Sequence, residues 1–177
     1  QADYAAEYER VKALAEAARA KGQEVVVVMG VGFVGAVMAA IVADCTNPDG
    51  QPSKFVIGCQ RPSTRSFWKI PLLNRGVSPV KAEDPQVDVL ISRCVNDRKT
   101  LTATYNSQVI DLADCVVIDV QCDFLKQELG NMKSGECDMA ALEATLKTVG
   151  QHIRPECLVL IETTVAPGTT EFVAWPI

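Results

Sequence analysis

The chain has 177 residues, which at roughly 150 residues per domain allows one domain and part of a second. Its composition, 48% hydrophobic and 22% charged with 11 Gly and 9 Pro, is that of an ordinary globular protein and excludes collagen-like, low-complexity and disordered readings. The 17 Lys and Arg against 22 Asp and Glu give a net charge of −5 with no basic run, which argues against a nucleic-acid groove.

In chain order, residues 4–21 place Tyr4, Tyr8, Val11, Leu14, Ala15 and Ala18 at helical spacing with charges between them, predicting an amphipathic helix that Gly22 closes. This segment lacks the apolar core and cleavage site of a signal peptide. No apolar stretch approaches the roughly 18 residues of a membrane span, so the expectation is a cytoplasmic protein with no membrane partner. Glu24–Met29, with four consecutive valines, reads as a central parallel strand buried on both faces.

A helix is expected over about 33–44, a loop rich in turn residues over 45–53, and a second strand over 54–59. Residues 61–79 read as irregular with one helical turn, 85–98 as a helix, 101–104 as a short strand and 109–113 as a helical turn. A strand over 115–120, a helix over 138–154 and a last strand over 158–163 complete the pattern. Strands alternating with helices predict an α/β fold: a Rossmann-like doubly wound parallel sheet with helices on both faces, preceded by an N-terminal helix. Residues 1–23 are the helical extension and 24–177 the domain proper.

The seven cysteines include no CxxC pair, and the chain has one histidine, His152, so zinc-ligand spacing is absent and no metal site is predicted. Cysteines inside apolar runs read as free, buried thiols of a reducing compartment. His152 reads as a surface or helix-capping residue.

The chemistry starts at Gly30-Val31-Gly32-Phe33-Val34-Gly35, a GxGxxG between a strand and an apolar helix. The first glycine permits the tight turn, the second lets backbone approach a pyrophosphate, and the third allows close helix–strand packing. The helix N-terminus supplies N–H groups and partial positive charge. At the end of the second strand, where an acidic residue would hold the adenine ribose of NAD, stands Gln60, followed by Arg61 and Arg65. An amide does not repel a 2′-phosphate and either arginine could pair with one, which leaves NADP open beside NAD.

GVGFVG at 30–35, LNRGVSPV at 73–80, LTATYNSQVIDLADCVVIDVQCD at 101–123, ECDMAAL at 136–142 and LVLIETTVAPGTTE at 158–171 together resemble the UDP-glucose/GDP-mannose dehydrogenase family, which includes UDP-N-acetylmannosamine and N-acetylgalactosamine types. The resemblance implies an NAD-dependent nucleotide-sugar 6-dehydrogenase of polysaccharide biosynthesis. Such an enzyme oxidises the 6-hydroxymethyl of a UDP- or GDP-sugar to a carboxylate with two NAD. It implies also a helical dimerisation element, a C-terminal domain for the nucleotide sugar and a homodimer in the full-length protein. Those parts, and the family's nucleophilic cysteine, are expected beyond Ile177. The absent initiator Met and the abrupt end predict a cropped chain that binds cofactor without turnover.

Carried over from the family, Thr164 matches the threonine of an ST(V/I)xPGT signature at the nicotinamide end and is the catalytic candidate, orienting water for thioester hydrolysis. Cys122 stands where the family has the threonine of a VPTP-like turn, so Val120, Gln121 and Cys122 join Gly30–Gly35, Gln60, Arg61, Arg65, Glu162 and Thr164 as cofactor-binding candidates. Two other readings stay open: a 3-hydroxyacid or 6-phosphogluconate type dehydrogenase domain, and a non-catalytic NAD(P)-sensing module.

Overall fold

The computed structural model describes residues 2–131 and 134–177. In chain order, α1 (Ala2–Arg19) leads into β1 (Glu24–Met29), α2 (Gly35–Ala43), β2 (Lys54–Cys59), α3 (Lys69–Asn74) and α4 (Gln86–Ser92). There follow β3 (Leu101–Thr104), β4 (Cys115–Ile118), a small pair β5 (Asp123–Leu125) and β6 (Glu136–Asp138), α5 (Ala140–His152) and β7 (Leu158–Ile161). The main sheet is parallel, with strand order β3-β2-β1-β4-β7.

Alternation along β1 explains why its valine run sits at the centre. Val25, Val27 and Met29 enter one core with α1, α5 and the 3₁₀ turn Ser107–Leu112, while Val26 and Val28 enter a second core under α2, α3 and α4. In β2, Phe55 and Ile57 join the first core and Val56 the second. A strand buried on both faces has no polar face to alternate, hence the unbroken apolar sequence. The chain runs outward from β1 to β2 and β3, then crosses back to β4 and β7, so the strand order reverses between β1 and β4. Crevices at the carboxyl ends of strands form at such a reversal.

The elements differ from the sequence expectation at their ends. Helix α2 begins at Gly35, two residues later than expected, because Gly32–Val34 form the turn. β4 stops at Ile118 and β7 at Ile161. The helix expected over 85–98 is α4 followed by a π turn, Arg93–Asp97, closed by Arg98 N–H donating to the Arg93 carbonyl at 2.9 Å. The β5–β6 pair and a second π turn, Thr170–Ala174, have no counterpart in the sequence reading. β5 and β6 are three residues each and exposed except at the half-buried Cys137, too short to carry a periodic signal. None of the described helices is long and apolar enough to cross a membrane.

Candidate functional site

The loop from β1 to α2 is shaped by contact with the end of β4. Gly30 has φ +98° and a Cβ there would strike the Asp119 carbonyl; a Cβ at Gly35 would strike the Gly30 carbonyl and lie 2.7 Å from the Asp119 carboxylate. Gly32 differs: a Cβ would meet nothing within 4 Å, and the residue lines an open cleft. Two of the glycines are thus demanded by packing, while the middle one keeps backbone accessible from the cleft.

That cleft has a volume of about 510 Å³ and lies at the carboxyl ends of β1, β2 and β4. Its floor is Gly30, Gly32, Val120 and Gln121, one wall is Gln60 and the 61–69 loop, and the other is α5 with Ala141, Ala144, Thr145 and Thr148. Gln60, at the end of β2, accepts a hydrogen bond from Val31 N–H at 3.1 Å through Oε1. The side chain therefore braces the glycine loop as well as lining the cleft.

Of the candidates named from sequence, Gly30, Gly32, Gln60, Arg61, Arg65, Val120 and Gln121 come together around this cleft. Val31 is fully buried beneath the loop and Gly35 is buried in the helix start. Phe33 and Val34 are 70% and 50% exposed and do not line the cleft. Glu162 and Thr164 stand exposed just beyond β7. They share the carboxyl edge of the sheet with Val120 and Gln121, because Glu162 N–H and Thr163 N–H both donate to the Ile118 carbonyl, at 3.0 and 3.4 Å.

Cys122 lies beside the cleft, with its sulfur 3.1 Å from that of Cys137 on β6 and 3.7 Å from Met139 Sδ. The neighbouring Cys137 thiol, partial burial and nearby acids push the Cys122 thiol up to about 11. It is protonated at neutral pH and poorly suited to act as a nucleophile. All seven cysteines are free thiols. His152 closes α5.

One residue of the site was missed by the sequence reading. Asp119, first after β4, lines the cleft and accepts a hydrogen bond from Gly35 N–H. Burial raises its pKa above the usual carboxylate range, and the Gly35 bond opposes this only in part. Glu162 is likewise raised, by partial burial and then by the Asp119 charge. No sequence signal distinguishes Asp119, because its role depends on β4 lying beside β1.

A nicotinamide dinucleotide fits these residues: backbone open at Gly32, a helix start behind it, and hydrogen-bonding groups on the wall formed by Gln60 and the 61–69 loop. The sequence model of the "UDP-glucose/GDP-mannose dehydrogenase family, NAD binding domain" matches residues 24–177. Among solved structures, the chain is 34% identical to an NDP-N-acetyl-D-galactosaminuronic acid dehydrogenase from Methanosarcina mazei Go1, covering 91% of this chain and 32% of that one, with TM-score 0.73. It is 27% identical to a GDP-mannose dehydrogenase from Pseudomonas aeruginosa, over 85% of this chain and 31% of that one, TM-score 0.66. It is 26% identical to a UDP-D-ManNAc dehydrogenase from Pyrococcus horikoshii, over 86% and 31%, TM-score 0.67. The chain thus spans about a third of the length of these relatives. A search of curated proteins finds no match.

Proposed function

The chain belongs to the UDP-glucose/GDP-mannose dehydrogenase family as its NAD-binding domain, and from that premise we propose that it is the cofactor-holding part of a nucleotide-sugar 6-dehydrogenase. The reaction converts the primary alcohol at C6 of a UDP- or GDP-sugar to a carboxylate, consuming one water and transferring four electrons. When bound in this cleft, NAD would supply the hydride-accepting chemistry, two electrons per molecule and so two NAD per sugar. The observation that carries the reading is the cleft at the β1–β4 reversal, where Gly32 alone of the three loop glycines opens onto free space.

The chain's own residues bind and orient. Backbone at Gly30 and Gly32, with the start of α2 behind, holds the diphosphate. Val120 and Gln121, leaving β4, form the floor on which the nicotinamide lies at the sheet edge. Thr164, two residues past Glu162 on the same edge, is proposed to meet the nicotinamide end and to orient the water that releases the acid. The family's cysteine nucleophile is assigned to no residue of this chain, in keeping with the protonated state of Cys122. The nucleotide sugar and the dimer contact are assigned to the two thirds of the relatives' length that this chain does not span.

The test is calorimetric titration with NAD of the parent and of Gly32→Val. The variant is expected to keep its circular dichroism and melting transition, because nothing stands within 4 Å of the added Cβ, and to lose NAD binding. Parent protein that fails to bind NAD, or a folded variant that binds it equally well, would overturn the reading.

A further inference from the structure

We propose that Cys122 and Cys137 are a reversible redox pair whose disulfide ties the floor of the cleft to its α5 wall, so that the oxidised chain binds NAD more tightly than the reduced one. The pair stands on its own geometry, whereas its effect on binding rests on the reading of the cleft as a dinucleotide site.

Strand pairing brings the two thiols together. Asp123 of β5 is opposite Asp138 of β6, so Cys122, one residue earlier, stands opposite Met139, and Cys137 is its diagonal neighbour on the same face, since residues two apart along a strand share a face. Three sulfurs meet there: Cys122 Sγ lies 3.1 Å from Cys137 Sγ and 3.7 Å from Met139 Sδ, and Met139 packs against the first core. Bonded sulfurs are about 2 Å apart, so closing the gap takes side-chain rotation and little movement of backbone. Both cysteines are half-buried, packed yet within reach of a small oxidant.

Among the described residues no other two cysteines are placed this way. Cys59 and Cys94 are buried on opposite sides of the sheet, in the first and second cores, where burial pushes their thiols up to about 12 and about 11. Cys115 and Cys157 are neighbours across β4 and the start of β7, but Cys115 packs on the second core and Cys157 on the first, so their side chains leave opposite faces of the sheet. Cys45 is exposed after α2, its sulfur donating to the Ile41 carbonyl at 3.5 Å.

The bond joins two sides of the cleft. The floor residues Val120 and Gln121 run directly into Cys122, and Cys137 stands three residues ahead of Ala140, the first residue of the α5 wall. In the reduced chain these sides are linked through β5 and β6, three residues each, and a two-stranded pair alone is marginally stable. A floor and wall fixed before binding lose less entropy when NAD is held between them. The oxidant is a small-molecule disulfide such as oxidised glutathione. Cys137 attacks one of its sulfurs and releases one glutathione thiol; Cys122 then attacks the Cys137 sulfur of the mixed disulfide and releases the second, so that the two hydrogens and two electrons lost by the protein end on the two glutathione thiols. Cys122, protonated at neutral pH, reacts second, when its target sulfur is fixed beside it and proximity offsets the small thiolate fraction. In a reducing compartment such a bond is transient and reports the redox state.

The experiment equilibrates the full chain with reduced and oxidised glutathione, blocks the remaining thiols by alkylation and maps tryptic peptides by mass spectrometry, trypsin cutting after Lys126, between the two cysteines. The expected product is one internal bond, Cys122 to Cys137, undone by dithiothreitol, with the other cysteines alkylated. The oxidised chain should melt higher by about 4 °C or more and, in calorimetric titration, bind NAD roughly two- to tenfold more tightly. Cys137→Ser, treated alike, should gain neither, and untreated should bind NAD as the reduced parent does. Cysteines that carry only mixed glutathione disulfides, or that are cross-linked in other pairs, would overturn the redox pair. A Cys122–Cys137 bond that leaves NAD affinity unchanged or weaker would overturn its tie to the cleft. If neither form binds NAD, the dinucleotide reading fails and the tightened binding with it, while the pair itself stands or falls on the linked peptide.

Discussion

Asp119 sits among glycines, and its carboxylate is spent on the Gly35 N–H at the start of α2. Burial holds the pKa above the usual aspartate range, so between the ordinary value and the raised one the folded chain keeps its proton more firmly than the unfolded chain. Stability contributed there is full at low pH and is lost as pH climbs through the folded value. Asp119→Asn retains an oxygen for the Gly35 bond and removes the charge. The variant should melt higher than the parent at pH 8, with the difference closing toward pH 4, as thermal melts across that range would show. The same change removes a negative charge beside the diphosphate position and should tighten NAD roughly two- to fivefold. An unchanged dissociation constant would place the diphosphate elsewhere.

Among the elements, the edge strand β3 shows what the LNRG segment does for the fold. Asn74, last residue of α3, accepts from Ala103 N–H at 2.7 Å and donates to the Ala103 carbonyl at 2.9 Å. One side-chain amide thus supplies at Ala103 the partners another strand would have given, with Arg10 adding a second donor to the Ala103 carbonyl at 3.2 Å. Asn74→Ala leaves the buried Ala103 N–H without its acceptor and should cost about 1–3 kcal/mol in urea unfolding. Asn74→Asp keeps the acceptor and should cost less. A loss for Asn74→Ala within error of zero would show that the amide is dispensable. The carboxyl ends of β1, β2 and β4 belong to the same scale: the strands were legible from apolar runs, whereas their last residues were fixed by the glycine loop meeting Asp119.

Across the whole molecule, one carboxylate, Asp114, is a junction through which the N-terminal helix is tied to the sheet, beside the helix's buried apolar face and its other bonds. Asp114 accepts from Val25 N–H at 2.8 Å, Arg19 at 2.9 Å and Arg154 at 3.0 Å, joining α1, the start of β1 and the segment after α5. Tyr8 adds a bond to Asp111, and burial together with that carboxylate pushes its hydroxyl up to about 12. Burial alone would raise the Asp114 pKa, but the Val25 N–H and the two guanidiniums outweigh it and hold it below the usual range. Its contribution is therefore present above the ordinary aspartate pKa and lost as pH falls through the lower folded value. Asp114→Ala should destabilise the chain by about 1–2 kcal/mol at pH 7, the exposed arginine pairs being screened by solvent. Equal stability of the two proteins at pH 7 would refute the clamp.

The sequence by itself determined the five strands of the main sheet and their order of appearance, because residues buried on both faces leave an unbroken apolar run. It determined the turn-forming glycines too, because GxGxxG between a strand and a helix has few other uses. Gln60, Arg61 and Arg65 could be picked out, since the second strand's end is a fixed offset from that loop. The tertiary structure alone decided which of these share a cleft: Phe33 and Val34 turn to solvent while Val120 and Gln121 join Gln60. It alone exposed Asp119, Asn74 and the Cys122–Cys137 contact. The meeting of Asp119, Val120 and Gln121 with Gln60 depends on the crossover that lays β4 beside β1, and the Asn74 and Cys122–Cys137 contacts join side chains 29 and 15 residues apart; local pattern carries no record of either kind of meeting.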